Sequence, residues 1–188
     1  VTETWVGTND TGATPTDPSG GGASGNNMVR LTARQYDGGT AGGDGNVTTQ
    51  TQYVDASTTR VTTFGYDFRS RQTTTDGEVD YYEKKTYDNL NRVIKVERFN
   101  TTSGGNLIAK SETKFDDRGR VYRTIRYAVD PSTGTVGNSL TDNSWFDASG
   151  HMIKQQPAGS SQFTKLTYDS LGRATIRYSG YDLDETSY

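Results

Sequence analysis

The stretch KTYDNLNRVIKVER, Lys85 to Arg98, reads as strand, break, strand, with Tyr87-Asp88 before the break and Arg92 directly after it. The same order returns in TKFDDRGRVYRTIRY, residues 113–127, and in KLTYDSLGRATIRY, residues 165–178. Aromatic-Asp pairs stand at Tyr36-Asp37, Tyr66-Asp67, Tyr87-Asp88, Phe115-Asp116, Phe146-Asp147 and Tyr168-Asp169. Their irregular spacing of about two to three dozen residues is that of repeat units. In the last five, the third residue after the Asp is Ser70, Asn91, Gly119, Gly150 or Gly172, followed by Arg71, Arg92, Arg120, His151 or Arg173. The first pair departs from this, because Tyr36-Asp37 runs into the glycine-rich GGTAGGDGN before strand-like VTTQTQY resumes.

A hairpin turn accounts for each residue type. Asp at the first turn position accepts a hydrogen bond from a backbone N–H two residues on and fixes the bend. The third residue after it must enter the left-handed region, which Gly does without steric cost and Asn tolerates, leaving Ser70 the weakest fit. The aromatic is expected to pack across the hairpin, and the Arg to lay its stem over an aromatic face with its head in water. The outgoing strands carry aromatics at even steps, Val47 to Tyr53, Val93 to Phe99, Val121 to Tyr127, Ala174 to Tyr178 and Val1 to Trp5, which predicts one face for each set. Ala174, Ile176 and Tyr178 form the cleanest such face, whereas Ile94 and Val96 blur the sorting in the Lys85 unit, a strand expected to be covered on both sides.

Composition agrees with a β-rich chain. Of 188 residues only 30% are hydrophobic, Gly numbers 22, Tyr 12 and Phe 6, and nothing forms an amphipathic helical stretch. Twenty basic against 23 acidic residues give a net charge of −3, which offers no electrostatic case for nucleic acid or an anionic membrane. With no cysteine there is no disulfide framework and no thiolate site, and no apolar run is long enough for membrane insertion. The segment VTETWVGTND aligns with VIKVERFNTT, and NNMVRLTARQYD with GNLIAKSETKFD, so the chain, starting at Val1 without a methionine, reads as a piece of a longer polypeptide. Residues 1–188 form one repeat segment, with long Gly/Ser/Thr/Pro loops expected at 8–27 and 128–143.

YDNLNR, FDDRGR, FDASGH and YDSLGR resemble the YD repeats of Rhs proteins, which also occur in teneurins and in shell components of insecticidal toxin complexes. The resemblance covers roughly Met28 to the end. It implies an all-β fold of antiparallel β-hairpin repeats forming a curved or spiralling sheet, a strip of a hollow shell. It also implies a bacterial secreted or cell-surface protein whose partners are neighbouring YD repeats of the parent chain and an enclosed C-terminal domain such as a toxin. The structural motif residues it marks are Tyr66, Asp67, Arg71, Tyr87, Asp88, Asn91, Arg92, Phe115, Asp116, Gly119, Arg120, Phe146, Asp147, Gly150, His151, Tyr168, Asp169, Gly172 and Arg173. The family's Asp-Pro self-cleavage motif is not recognisable, since Asp17-Pro18 and Asp130-Pro131 lie in loops without its surrounding residues.

No residue set nominates an enzyme. His151, the single histidine, occupies the motif's Arg position and reads as a surface-facing turn residue, because nothing in the sequence supplies the orienting partner a general base needs. The loop Asp37 to Asn46 is acidic and glycine-rich, but it occurs once and without calcium-ligand spacing, so it reads as a flexible loop. Asp182 and Asp184 read as a solvated turn and not as a glycosidase pair. No phosphate loop, nucleophile elbow or zinc pattern occurs, so neither a cofactor nor a metal is expected. The alternative function is carbohydrate binding or adhesion, with exposed Tyr and Trp stacking on surface glycans. The competing reading makes those rings the packing material of a thin sheet.

Overall fold

The computed structural model describes residues 2–78, 81–101 and 104–181. The described residues form thirteen strands: β1 Thr2–Val6, β2 Val29–Tyr36, β3 Val47–Tyr53, β4 Thr59–Tyr66, β5 Gln72–Gly77, β6 Tyr81–Tyr87, β7 Val93–Phe99, β8 Leu107–Phe115, β9 Val121–Val129, β10 Val136–Phe146, β11 Met152–Gln156, β12 Gln162–Tyr168 and β13 Ala174–Tyr181. They belong to one antiparallel sheet whose strand order is the chain order, as successive hairpins dictate. The chain parts into two compact units, Val1–Lys84 with Thr101–Ser103, and Lys85–Asn100 with Gly104–Tyr188, where the sequence reads as a single run.

The sheet has almost no interior. Among the described residues Ala33 is the one buried hydrophobic residue, Glu83 and Lys154 are the buried polar ones, and no large side chain is fully enclosed. A chain with so few aliphatics has little to bury, and its stability must come from ladder hydrogen bonds and cross-strand pairs. Strand β7 shows this directly. Every one of its residues is half-buried except Arg98, which is exposed, so it is not covered on both sides as its Ile94 and Val96 suggested.

Among the described pairings, five hairpins share a bulge that the sequence pattern hides. Opposite the aromatic, the outgoing strand carries one extra residue: Tyr36 pairs Val47 but Gln35 pairs Thr49, and Tyr168 pairs Ala174 but Thr167 pairs Ile176. The same step occurs at Tyr66, Phe115 and Phe146. Neighbouring residues of a strand face opposite ways, so Ala174 is parted from Ile176 and Tyr178, and Val47 from Thr49 and Tyr53. The expectation of one continuous face therefore fails at the first outgoing residue.

The two long loops turned out differently. Between β1 and β2 lies no further strand, and residues 8–27 fold back on themselves. Asn27 Oδ1 accepts from the N–H groups of Thr8 and Asn9, and the Asp17 carboxylate from those of Ser19 and Gly21. Residues 128–143, expected as a loop, are mostly strand. The connection is only 130–135, closed by the Asp130 N–H on the Thr135 carbonyl, and β10 pairs with β9 from Val136 to Asn143. Gly137 and Asn138 sit at a register irregularity of weak strand propensity, and the regular pairing of Ser139 to Asn143 with β9 carries the strand across it.

Candidate functional site

The repeated turn is where the motif residues meet. In all five regular turns the Asp N–H donates to the carbonyl of the residue four on: Asp67 to Arg71, Asp88 to Arg92, Asp116 to Arg120, Asp147 to His151 and Asp169 to Arg173. The third residue returns its N–H to the Asp carbonyl and is left-handed, with φ of 56° at Ser70, 64° at Asn91, 81° at Gly119, 100° at Gly150 and 76° at Gly172. Each Asp Oδ1 accepts from the N–H four residues on, at 2.8 to 3.1 Å. In four of the turns it also accepts from the N–H two residues on. Oδ2 binds the side chain four residues on, Arg Nε at 2.6 to 2.7 Å or His151 Nδ1 at 3.1 Å.

The carboxyls respond to these donors. The Arg71 side chain, against desolvation and with help from backbone N–H groups, holds Asp67 below the ordinary carboxylate value. At Asp88, Asp116 and Asp147 desolvation pushes upward, and the backbone and side-chain donors of Arg92, Arg120 and His151 overcome it, so these too sit low. Asp169 is lowered chiefly by the Arg173 backbone N–H and then by its side chain.

The first turn, which departs in sequence, closes in the same way. Asp37 N–H donates to the Asn46 carbonyl and Asp37 Oδ1 accepts from the Asn46 N–H, so Asn46 stands where the others have Arg and the extra glycines bulge outward. The signal was available, because Val47 opens its strand as Val93 and Val121 open theirs.

The same side chains also join one hairpin to the next. Arg92 lies over Phe115 at 4.4 Å, Arg120 over Phe146 at 4.6 Å, and His151 stacks on Tyr168 at 4.6 Å and 21°. Strand register produces this. Continuing Lys95↔Glu112 outward sets Arg92 opposite Phe115, Ser139↔Tyr127 sets Arg120 opposite Phe146, and Lys154↔Lys165 sets His151 opposite Tyr168. Two tyrosines add a second tie, Tyr66 Oη donating to Val47 O at 2.9 Å and Tyr168 Oη to Met152 O at 2.8 Å. Both acceptors lie at the bulge, where the ladder is interrupted. His151 is thus half-buried in a joint, and not simply a surface turn residue.

A second lane of cations and rings escaped the sequence reading. Lys154, 3% exposed, sits between Trp145 at 4.6 Å and Phe163 at 4.8 Å; Lys110 lies over Tyr127; Arg30 covers Tyr53 at 4.0 Å and pairs with Glu3, which also accepts from Trp5 Nε1. The even aromatic spacing was the signal for it, but the cations lie on partner strands that only the register identifies. Of the Tyr and Trp rings, Trp5, Tyr53, Tyr127 and Trp145 are half-buried and turn a face to a cation of their own sheet, while Tyr178 and Tyr181 are exposed. Among the described residues no three acidic or histidine side chains gather as a metal site. Asp182 and Asp184 lie outside the described residues.

No protein-family model and no curated protein matches the chain. Solved structures do. A chain of the Photorhabdus luminescens Tc holotoxin pore, carrying the TccC3 mutation D651A, matches over 81% of this chain and 8% of its own length, with TM-score 0.58 and 12% identity. The likeness is one of fold. A TcdB2-TccC3 crystal structure aligns over 86% of this chain and 11% of its own, at 13% identity and TM-score 0.36. The chain therefore spans about a tenth or less of the length of either.

Proposed function

We propose that this chain is a structural YD/Rhs-repeat segment of a bacterial secreted or cell-surface protein, non-catalytic, forming part of a β-shell that encloses or displays another domain. The observation that carries the reading is the joint: the turns at Asp88, Asp116 and Asp147 use the Asp and the residue four on to close the turn, and that residue's side chain also lies on the ring of the next hairpin. Such a turn adds repeats side by side and leaves no group poised for chemistry. The fold likeness to part of a Tc holotoxin pore chain supports a shell origin. Adhesion to glycans has less support, because both tryptophans are half-buried and face cations of the sheet, which leaves exposed tyrosines such as Tyr178 and Tyr181 for it. The test is limited proteolysis of the longer polypeptide carrying this segment. The domain it encloses should resist cleavage in the intact protein and become sensitive when Gly172→Val loosens the wall. Equal cleavage of that domain alone and within the intact protein would overturn the enclosing role.

A further inference from the structure

The net charge of −3 hides a sorting of charge within the second unit. Directly opposed residues of an antiparallel sheet share a face, and alternate residues of a strand return to it. The pairs Lys95↔Glu112, Glu97↔Lys110, Lys114↔Arg123, Arg123↔Asn143, Trp145↔Lys154 and Lys154↔Lys165 therefore lie on one face of β7–β12. That face carries six bases, Lys95, Lys110, Lys114, Arg123, Lys154 and Lys165, against two acids, Glu97 and Glu112. The unit's motif aspartates sit in the turns, where backbone N–H groups engage them, so an acidic chain presents a basic sheet face. The charge comes to a focus at Lys114 and Arg123, which stand directly opposite one another, a like-charge pair that costs stability. Lys114 is 46% exposed and reaches Glu112 at 3.3 Å; Arg123 is exposed and donates Nε to Asn143 Oδ1 at 2.8 Å. The two Nη groups of Arg123 make no hydrogen bond to the described residues. Beside them, where the β9–β10 pairing ends at Asn143, a cleft of about 180 Å³ lies among Arg123, Asn143, Ser144 and Trp145.

We infer that this face binds an acidic polypeptide, one carboxylate seated between Arg123 and Lys114 and a second on Lys95. The Nη groups of Arg123 suit a carboxylate, which accepts from a guanidinium in two parallel hydrogen bonds, and Lys114 adds a point charge from the opposite strand. The like-charge pair is relieved by the ligand. Lys95, 32% exposed, is the diagonal neighbour of Lys114, a separation of about 7–8 Å. Alternate side chains of an extended peptide repeat at about 7 Å, so a glutamate-rich strand laid over the face meets both cations. The rings choose between polyanions. Lys110 lies over Tyr127 at 4.4 Å and Lys154 over Trp145 at 4.6 Å, which covers the platforms that nucleic-acid bases would stack on and leaves charged heads as the recognition elements.

A fluorescent glutamate oligomer titrated into the intact chain tests this by anisotropy. Binding should saturate and weaken as salt is added, since the contacts are exposed ion pairs. The double variant Lys114→Gln/Arg123→Gln should bind about fivefold more weakly, the effect of two such pairs, and should melt no earlier than the parent because a like-charge pair is gone. Lys95→Gln gives a second, smaller loss that does not depend on that double variant folding. Arg98→Gln/Arg126→Gln, which removes two bases of the opposite face, should leave binding unchanged. Carbodiimide coupling of the bound oligomer should fall on Lys114 and Lys95. The inference is overturned by absence of saturable binding at low ionic strength, by equal losses from the two faces, or by coupling spread evenly over the chain's lysines. Tighter binding of oligothymidylate or of a polyuronic acid than of the glutamate oligomer would overturn it too, by assigning the face to nucleic acid or to acidic polysaccharide.

Discussion

Asp116 shows how much one residue carries in this sheet. Its two oxygens accept from the N–H groups of Arg118 and Arg120 and from Arg120 Nε, while its own backbone holds both ends of the turn. Two predictions belong at this scale. Gly119→Val and Gly172→Val force a β-branched residue into the left-handed region, at a cost of about 1–2 kcal/mol. The second should cost more, because a Cβ at Gly172 would stand 2.8 Å from His151 Nε2, whereas at Gly119 the nearest atom is Arg92 Nη1 at 3.5 Å. Ser70→Gly relieves φ 56° and should be neutral or mildly stabilising. Urea melts check all three, and two unperturbed Val variants would remove the turn assignment. The second prediction concerns acid. The turn aspartates have folded pKa values below the unfolded value, about 3.9. Their stabilisation is therefore complete above that value and is lost as pH falls through the lower folded values. Unfolding midpoints should hold from pH 7 to 5 and drop below about pH 4, and Asp116→Asn should flatten that drop while lowering the plateau. A midpoint independent of pH down to 3 would contradict it.

At the scale of the element, the hairpin and its neighbour form the working unit, and the bulge is the device that couples them. It interrupts the ladder where a tyrosine hydroxyl of the next hairpin can bind. His151 is the variant part of this series. His151→Ala should destabilise by about 0.5–1.5 kcal/mol through loss of its stack on Tyr168, in contrast to the neutrality that a surface turn residue would show. His151→Arg should recover most of the loss, since Arg fills the place in the neighbouring joints. Tyr168→Phe should cost about 0.5–1.5 kcal/mol for the bond to Met152 O. Phe115 and Phe146 show that the joint tolerates its absence. Thermal melts of the three variants decide, and an inert His151→Ala would return the residue to the surface.

For the whole molecule the distinguishing fact is how little is buried. The heat-capacity change of unfolding scales with apolar surface exposed, and a compact domain of this length would show about 2.3–2.8 kcal/mol/K. This chain should fall clearly below that range in scanning calorimetry, with broad melting, since adjacent hairpins couple mainly to their neighbours. A value within the range would mean that further apolar surface, such as another copy, covers the sheet.

The sequence alone determined what is local. Turn position, the left-handed residue, the Asp acceptor and the all-β hairpin order follow from spacing and residue type, because a turn is made by a few consecutive residues. Residues 128–143 show the limit: local propensity spelled loop, and the partner strand β9 made strand. The bulge, the joint between His151 and Tyr168, and the burial of Lys154 between two rings needed the tertiary structure. Each depends on which residues of different strands come opposite one another, and a register shift of one residue, which barely alters a sequence pattern, turns every later side chain to the other face.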